Sequence, residues 1–170
     1  MVIRELEKRI EALEALIRQL IRPGTVTSVL DDQGRVRVKL HDSDGMISNP
    51  LQVLAAKTQK NKSYDLPDVG EQVLSLFLPT GLEQGFVLGA VNSDEDPPPV
   101  SDRNKTHYSW PDGSFIEYDR AAHRLSIHIE GDVVLSALNF KIGCPLKVDN
   151  DISATGSVID GGGNTNHHSH

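Results

Sequence analysis

The last third of the chain alternates short apolar runs with turn residues, and this pattern limits the possible folds more than any other feature. Alternation of period two predicts strands that each have one apolar face. Glycine, aspartate and asparagine separate the runs, so the strands should be very short. The runs are Phe115/Glu117, Leu125/Ile127/Ile129, Val133/Leu135/Ala137, Phe140/Ile142, Leu146/Val148, Ile152/Ala154 and Val158.

A ribbon of this kind has nothing in its own chain to cover the apolar face. Burial of a Val, Leu or Ile side chain is worth about 1.5–3 kcal/mol, and uncovered strand edges promote aggregation. Three chains wound around one axis would cover both the faces and the edges. The side chains become smaller towards the end, which suggests a taper, and short repeated strands are typical of β-solenoids. We therefore predict that residues 101–160 form an intertwined trimeric β-helix or β-prism needle.

Residues 1–22 show a different period. Apolar residues alternate at steps of three and four, which is the a/d pattern of a coiled coil. They are Ile3, Leu6, Ile10, Leu13, Ile17 and Leu20. Arg9 at position g and Glu14 at the following position e would pair between parallel helices. Ile at a with Leu at d favours two strands, whereas apolar Leu16 and Ile21 favour three or more, so the helix leaves the stoichiometry open. An amphipathic helix packed on its own domain is the alternative.

Residues 23–93 read as a small β-barrel of about five strands, of the oligonucleotide/oligosaccharide-binding (OB) type. Pro23-Gly24 should stop the helix, and Asp31-Asp32-Gln33-Gly34 should form a hairpin turn. In the second strand Val36, Val38 and Leu40 should face the core, with charged residues between them. The expected strands are 25–30, 35–40, 50–54, 72–78 and 84–91.

Two connecting segments are marked by charge. The loop from Lys57 to Gly70 contains Lys57, Lys60 and Lys62, which indicates either a solvated loop or a contact with a neighbouring protein. Residues 94–100 combine three acidic residues with three prolines. Prolines stiffen a chain into an extended form, so a linker between domains is expected there.

The sequence ends in His167-His168-Ser169-His170 after three glycines. His168 and His170 are two positions apart and point to one side of an extended strand. On a threefold axis, two imidazoles from each of three chains would give six nitrogens around one metal ion. Octahedral nitrogen coordination favours iron or nickel over tetrahedral zinc, but geometry alone does not choose the metal. A tail without a fixed structure is the alternative for residues 161–170.

Composition excludes several classes of protein. The formal net charge of −7 argues against a nucleic-acid surface, which needs clustered Lys and Arg. The lone cysteine, Cys144, allows no disulfide within a chain and is expected to be a small buried residue. Charged residues interrupt every apolar run, so we find no signal peptide or membrane span and expect synthesis in the cytoplasm.

The order of these parts resembles the baseplate assembly protein V family, the central spikes of contractile phage tails. The most specific points are Pro23-Gly24-Thr25-Val26, the stretch from Leu66 to Val73, and His168-Ser169-His170. The resemblance covers the whole chain and implies a homotrimer below the tail tube, assembled in the host cytoplasm and located in the virion tail baseplate. It implies contacts with baseplate hub and tail-tube proteins, and a needle that pierces the host outer membrane. It also implies one iron ion per trimer on the threefold axis, bound by His168 and His170.

Two other functions are less favoured by the sequence. An OB-fold module for single-stranded nucleic acid or carbohydrate would need a basic groove with aromatic platforms, and the barrel segment offers only Tyr64, Phe77 and Phe86. A metal-dependent hydrolase would need a carboxylate or third ligand near the histidines, and Asp160 is separated from them by three glycines. No catalytic motif is found, so no enzyme activity is expected.

Overall fold

The computed structural model describes residues 2–79 and 84–156. A helix, α1 (Val2–Leu20), is followed by five strands and then by three more. The strands are β1 (Ile21–Leu30), β2 (Arg35–Leu40), β3 (Leu51–Val53), β4 (Gln72–Phe77), β5 (Gly85–Ala90), β6 (Lys105–Ser109), β7 (Phe115–Asp119) and β8 (Arg124–His128). The protein is therefore mainly β with an N-terminal helix, as the sequence predicted.

Strands β1 to β5 close into a barrel in the order β1-β2-β3-β5-β4. All pairs are antiparallel except β3 with β5, which are parallel. Strand β1 is long enough to pair with β2 and β4, and the register of its pairing with β2 shifts between Val26 and Ser28. A bulge at such a point bends the strand and allows a small sheet to close. The predicted five-stranded barrel is confirmed.

The core of the barrel consists of aliphatic side chains around one phenylalanine. Strand β2 alternates as expected, with Val36, Val38 and Leu40 buried and the basic residues between them exposed. The turn before it is a single 3-10 turn, Asp31–Gln33, that ends at Gly34 with φ +62°, a left-handed conformation suited to glycine. The buried core residues are Val26, Val36, Val38, Leu40, Leu51, Val73, Phe77 and Val87.

The end of the helix differs from the prediction. Pro23-Gly24 was expected to stop it, but α1 ends at Leu20 and both residues lie inside β1. Glycine is needed at position 24 because a Cβ there would lie 2.6 Å from the carbonyl oxygen of Lys39 on β2. The carbonyl of Pro23 accepts a hydrogen bond from the backbone N–H of His41 at 3.2 Å. The dipeptide therefore permits close approach of two strands.

Strands β6, β7 and β8 form a separate antiparallel sheet in sequence order. Strand β6 was not predicted, because Lys105-Thr106-His107-Tyr108-Ser109 lacks apolar alternation. The β6–β7 turn is stabilised by Asp112, whose carboxylate accepts hydrogen bonds from the N–H and the hydroxyl of Ser114 at 2.9 and 3.0 Å. These bonds hold the pKa of Asp112 below its usual range.

From Ile129 to Gly156 the described chain forms no helix or strand. The short strands predicted at Val133, Phe140, Leu146 and Ile152 are thus not formed in the single chain. A strand needs a hydrogen-bonded neighbour, and within this segment the chain supplies none. Across the described ranges, no helix has the length and apolar character needed to cross a bilayer.

Candidate assembly surfaces

The apolar stripe of α1 is uncovered. The side chains of the a and d positions from Ile3 to Ile17 are all exposed, with Ile3 at 72%. The helix makes few contacts with the strands, mainly with β1 and β4. In proteins most of the stability of a helix comes from tertiary packing of its amphipathic face, and this face lacks such packing in the described chain. The stripe is therefore a candidate surface for other helices and is not packed on its own domain.

One face of the β6–β8 sheet is also apolar and largely uncovered. Register places Tyr108 opposite Ile116, and Ile116 opposite Ile127. Tyr118 lies opposite Leu125 on the same face. Tyr108, Tyr118, Leu125 and Ile127 are exposed and Ile116 is half-buried. The sheet thus presents five large side chains to solvent on one side.

This register corrects the predicted ribbon at one point. Phe115 and Glu117 were counted with the apolar runs that include Leu125 and Ile127. They lie on the opposite face, since Phe115 pairs with His128 and Glu117 with Ser126. Ile116 and Tyr118 are the residues of β7 that share the apolar face. The sequence run Phe-Ile-Glu-Tyr has a large side chain on each face, so alternation alone did not decide the side.

Residues 133–152 extend the uncovered apolar surface. Val134 is 85% exposed and Leu138 is 97% exposed, which leaves these side chains almost fully in water. Monomeric proteins rarely expose large contiguous apolar patches, and such patches mark interaction sites. The remaining exposed apolar residues are Val133, Leu135, Phe140, Ile142, Leu146, Val148 and Ile152. Cys144, expected to be buried, is exposed in the single chain.

The other face of the β6–β8 sheet holds a polar cluster centred on Glu117, which is 9% exposed. One carboxylate oxygen accepts a hydrogen bond from Lys105 Nζ at 2.9 Å, and the other lies 3.0 Å from His107 Nδ1. The Lys105 ammonium, followed by His107, holds the pKa of Glu117 below its usual range. The same bond raises the pKa of Lys105.

The sheet brings His107 and His128 together around Phe115. Both rings stack on Phe115, with centroid distances of 5.5 and 5.4 Å. His128 is exposed on the face opposite Ile127. His107 on β6 lies opposite Glu117 and His128 on β8 lies opposite Phe115, so the grouping becomes visible only once β6 is recognised. The cluster is a structural support for the sheet.

The junction between α1 and β1 is fixed by a buried arginine. Arg22 is 4% exposed, and its Nε lies 3.0 Å from both carboxylate oxygens of Asp42. Its guanidinium also contacts Ser43 Oγ and lies 5.8 Å from the centre of the Phe77 ring. The hydrogen bond from Arg22 lowers the pKa of Asp42. The start of β1, directly after the helix, is therefore anchored to the loop after β2.

The predicted metal ligands, His168 and His170, lie outside the described residues. Within the described ranges, no three His, Cys, Asp or Glu side chains are grouped so that they could hold a metal ion. A platform for stacking bases is not formed by the barrel aromatics either, because Phe77 is buried in the core and Phe86 is half-buried. Tyr64 is exposed by itself. The nucleic-acid alternative therefore receives no support from the barrel.

Comparison with known proteins agrees with this geometry. Residues 22–91, which contain most of the barrel, match the family described as the type VI secretion system/phage-baseplate injector OB domain. The chain is also 32% identical to the spike protein of Escherichia phage P2 over 118 residues. Through residues 22–91 the chain belongs to the phage-baseplate injector OB domain family. The aligned residues are 69% of this chain and 54% of the P2 protein, so the chain spans about half the length of that relative.

The family match identifies the barrel as an injector OB domain. It also gives a context for the uncovered surfaces, which lie on both sides of that domain in the sequence. The stripe of α1 precedes the matched residues, whereas the apolar face of β6–β8 and residues 133–152 follow them. These surfaces of the described residues are candidates for contacts with other chains.

Proposed function

We propose that this chain is the central spike of a contractile phage tail and functions as a homotrimer. Three α1 helices form a coiled coil, three barrels form a collar, and residues 101–160 form an intertwined β-helical needle. One observation supports this most strongly: the large apolar side chains before and after the barrel are exposed in the single chain. A threefold assembly would remove them from water.

The needle gains most from assembly. Burial of each exposed Val, Leu or Ile between residues 133 and 152 would contribute about 1.5–3 kcal/mol. Backbone groups from Ile129 onwards would obtain strand partners from the neighbouring chains. A folded needle of this kind is stiff because its strands are hydrogen-bonded to two other chains. Such a rod can transmit force along its axis.

The proposed tip is closed by a metal ion. His168 and His170 of three chains would supply six neutral imidazole nitrogens, a donor set that suits iron in octahedral coordination. The bound ion would hold together three chain ends that would otherwise fray. Because ligating imidazoles must be neutral, acid should release the metal as the histidines become protonated.

The role is mechanical and not enzymatic. The collar would join the spike to baseplate hub and tail-tube proteins in the virion tail baseplate, after assembly in the host cytoplasm. Contraction of the sheath would then drive the needle through the host outer membrane. No nucleic acid is required as a partner, in agreement with the acidic net charge of −7.

Mass in solution combined with metal analysis tests the assembly. We expect light scattering to give three chains per particle and elemental analysis to give one iron ion per three chains. A compact monomer that keeps its barrel and stays soluble would overturn the trimer. A trimer without stoichiometric metal would agree with the proposed needle and contradict the proposed metal site at its tip.

The assignment of the ligands has its own test. Replacement of His168 and His170 by Ala should abolish metal binding and leave the trimer intact. The matched control is His123→Ala, since His123 is exposed in the turn between β7 and β8 and should not affect the metal content. If the double variant retains stoichiometric iron, the ligands lie elsewhere.

A further inference from the structure

A short arm projects from the barrel between β3 and β4. Thr58 and Lys62 form an isolated antiparallel bridge. The backbone N–H of Ser63 donates to the carbonyl of Lys57 at 2.9 Å, and Ser63 Oγ accepts from the N–H of Lys57 at 3.2 Å. These bonds close residues 57–63 into a defined loop, although every residue of the loop is exposed. We call residues 57–63 the basic arm, because three of them are lysines.

A cleft of about 220 Å³ lies between the basic arm and the edge of the barrel. Lys57 and Lys62 line it from the arm, and Gln52 and Leu54 line it from the end of β3. Tyr64 also lines the cleft and is 68% exposed. Its hydroxyl donates to Asp31 Oδ1 at 3.1 Å, which fixes the position of the ring while its surface stays open.

The lysines of the basic arm have no acidic partner in residues 2–79 and 84–156. None of the ion pairs found there includes Lys57, Lys60 or Lys62. They form a local positive group on a chain whose formal net charge is −7. The cleft thus combines two cations and one carboxylate, that of Asp65, with an exposed aromatic ring and an exposed Leu54. Such a cleft suits an extended segment that contains carboxylates and prolines.

The linker after the barrel has this composition. Asp94, Glu95 and Asp96 are exposed and take part in no ion pair among the described residues. A local turn orders them, since the N–H of Ser93 donates to the carbonyl of Asp96 at 3.1 Å and Ser93 Oγ accepts from the N–H of Asp96 at 3.0 Å. Pro97, Pro98 and Pro99 follow and are also exposed. Consecutive prolines hold a chain extended, so this part loses little conformational entropy on binding.

We propose that the linker of a neighbouring copy lies in the cleft beside the basic arm. The carboxylates of residues 94–96 pair with Lys57 and Lys62, and the prolines of residues 97–99 pack on Tyr64 and Leu54. Aromatic surfaces are the usual platforms for extended proline segments. This inference rests on the proposed homotrimer, in which each copy offers one arm and receives one linker. The contact would lock adjacent collars at the level where the needle begins.

The linker of the same chain is a weaker candidate for this cleft. Val91, three residues before this linker, is held to β4 by a hydrogen bond from its N–H to the carbonyl of Gln72 at 2.8 Å. No hydrogen bond or ion pair connects residues 94–99 to residues 54–66 within the chain as described. The two charged segments are therefore preformed but unpaired, as expected of surfaces that meet between chains.

Disulfide trapping in the full-length protein tests the proposal. In a Cys144→Ser background, Lys62→Cys and Glu95→Cys are introduced together and the protein is oxidised mildly. A disulfide forms only where the two Cα atoms approach within about 7 Å. We expect most chains to run as covalent oligomers on a non-reducing gel. The matched control replaces Lys62→Cys by Lys60→Cys, at the tip of the arm and away from the cleft, and should give several-fold less product.

Mixed single variants show which chain supplies the linker. Lys62→Cys chains co-expressed with Glu95→Cys chains should give a covalent dimer that contains both. A disulfide found only within single chains would mean that the linker of the same chain occupies the cleft, and this would overturn the proposal. If no disulfide forms while the particle mass is that of a trimer, the docking is wrong and the proposed spike stands. A monomeric mass would contradict both.

Charge reversal gives an independent measure. Lys62→Glu and Glu95→Lys should each lower the midpoint of trimer dissociation at low salt, and the double variant should recover most of the loss. High salt should remove the difference, because it screens exposed charges. Equal effects of both single variants without recovery in the double variant would contradict direct pairing.

Discussion

Two buried serines of the barrel differ in their hydrogen bonds. Ser75 on β4 is fully buried, and its hydroxyl has no protein partner among the described residues. Ser48 is 4% exposed, and its hydroxyl accepts the backbone N–H of Val38 at 3.0 Å. A buried polar group without a partner costs about 1–3 kcal/mol. The same side chain thus opposes folding at one position and supports it at the other.

Ser75→Ala should therefore raise the free energy of unfolding by about 1 kcal/mol, since it removes an unpaired hydroxyl and almost no volume. Ser48→Ala is the matched control and should lower that free energy by about 1–3 kcal/mol, because it leaves the N–H of Val38 buried and unpaired. Urea unfolding followed by far-ultraviolet circular dichroism measures both. Changes of the same sign would contradict the account.

Glu117 makes the β6–β8 sheet sensitive to acid. Its pKa is lowered by the hydrogen bond from Lys105 and then by His107. Its pKa in the unfolded chain is about 4.3. Near and below that pH the folded state therefore binds fewer protons than the unfolded state. The stability from Glu117 is therefore complete above about pH 4.3 and is lost as pH falls through the folded pKa.

We expect the sheet to unfold more easily as pH falls below about 4.3. The fluorescence of Trp110, the single tryptophan, reports this unfolding. Trp110 is suited to this because it lies at the β6–β7 turn, where its backbone N–H donates to the carbonyl of Ser114 at 2.9 Å. Glu117→Gln should be less stable at neutral pH and should lose the part of the pH dependence that comes from Glu117, while the part that comes from Asp112 remains. Glu130→Gln is the control and should keep the full pH dependence. It changes an exposed carboxylate whose Oε1 lies 2.9 Å from His128 Nε2.

Among the elements, α1 depends most on other chains. Leu13 at a d position is 60% exposed and touches little of its own chain. In a coiled coil it would be buried, and Leu13→Asp would place a charge in the seam. The helix would then lose the packing of its apolar face, from which most helical stability in proteins comes, and it would melt.

We therefore expect Leu13→Asp to reduce the helical circular dichroism signal while the barrel unfolds at an unchanged temperature. Lys8→Asp at the f position of the heptad adds the same residue on the outer side and should keep most of the signal. If both variants are equally helical, α1 has no partner helices in solution.

Elements with a strict period could be predicted from the sequence, whereas elements held by single contacts could not. Strand β2 was predicted to the residue because its valines alternate with basic residues across a half-buried sheet. Strand β6 escaped notice because its only large apolar residue is Tyr108, and its place is set by pairing with β7. Pro23 and Gly24 gave a stop signal for a helix, yet the close approach of Lys39 makes them part of a strand. Arg22 gave no signal, since one charged residue has no period.

At the scale of the whole molecule, the most informative residues are those that the single chain leaves in water. Leu135 and Ser136 are adjacent, and both are exposed. The alternation from Val133 to Ala137 places Leu135 towards the axis of the proposed needle and Ser136 away from it. In a lone chain Asp at either position would have little effect, because neither side chain is packed.

In a trimer the two positions should differ. Leu135→Asp would forfeit about 1.5–3 kcal/mol of burial in each of three chains and would bring three carboxylates together at the axis. We expect the trimer to dissociate at a markedly lower denaturant concentration, measured by light scattering and sedimentation. Ser136→Asp adds the same charge on the outer side, and this variant should dissociate at a denaturant concentration close to that of the unchanged protein. Equal midpoints for the two variants would mean that residues 133–137 do not face a common axis, and the needle would have to be replaced by another arrangement of the same apolar runs.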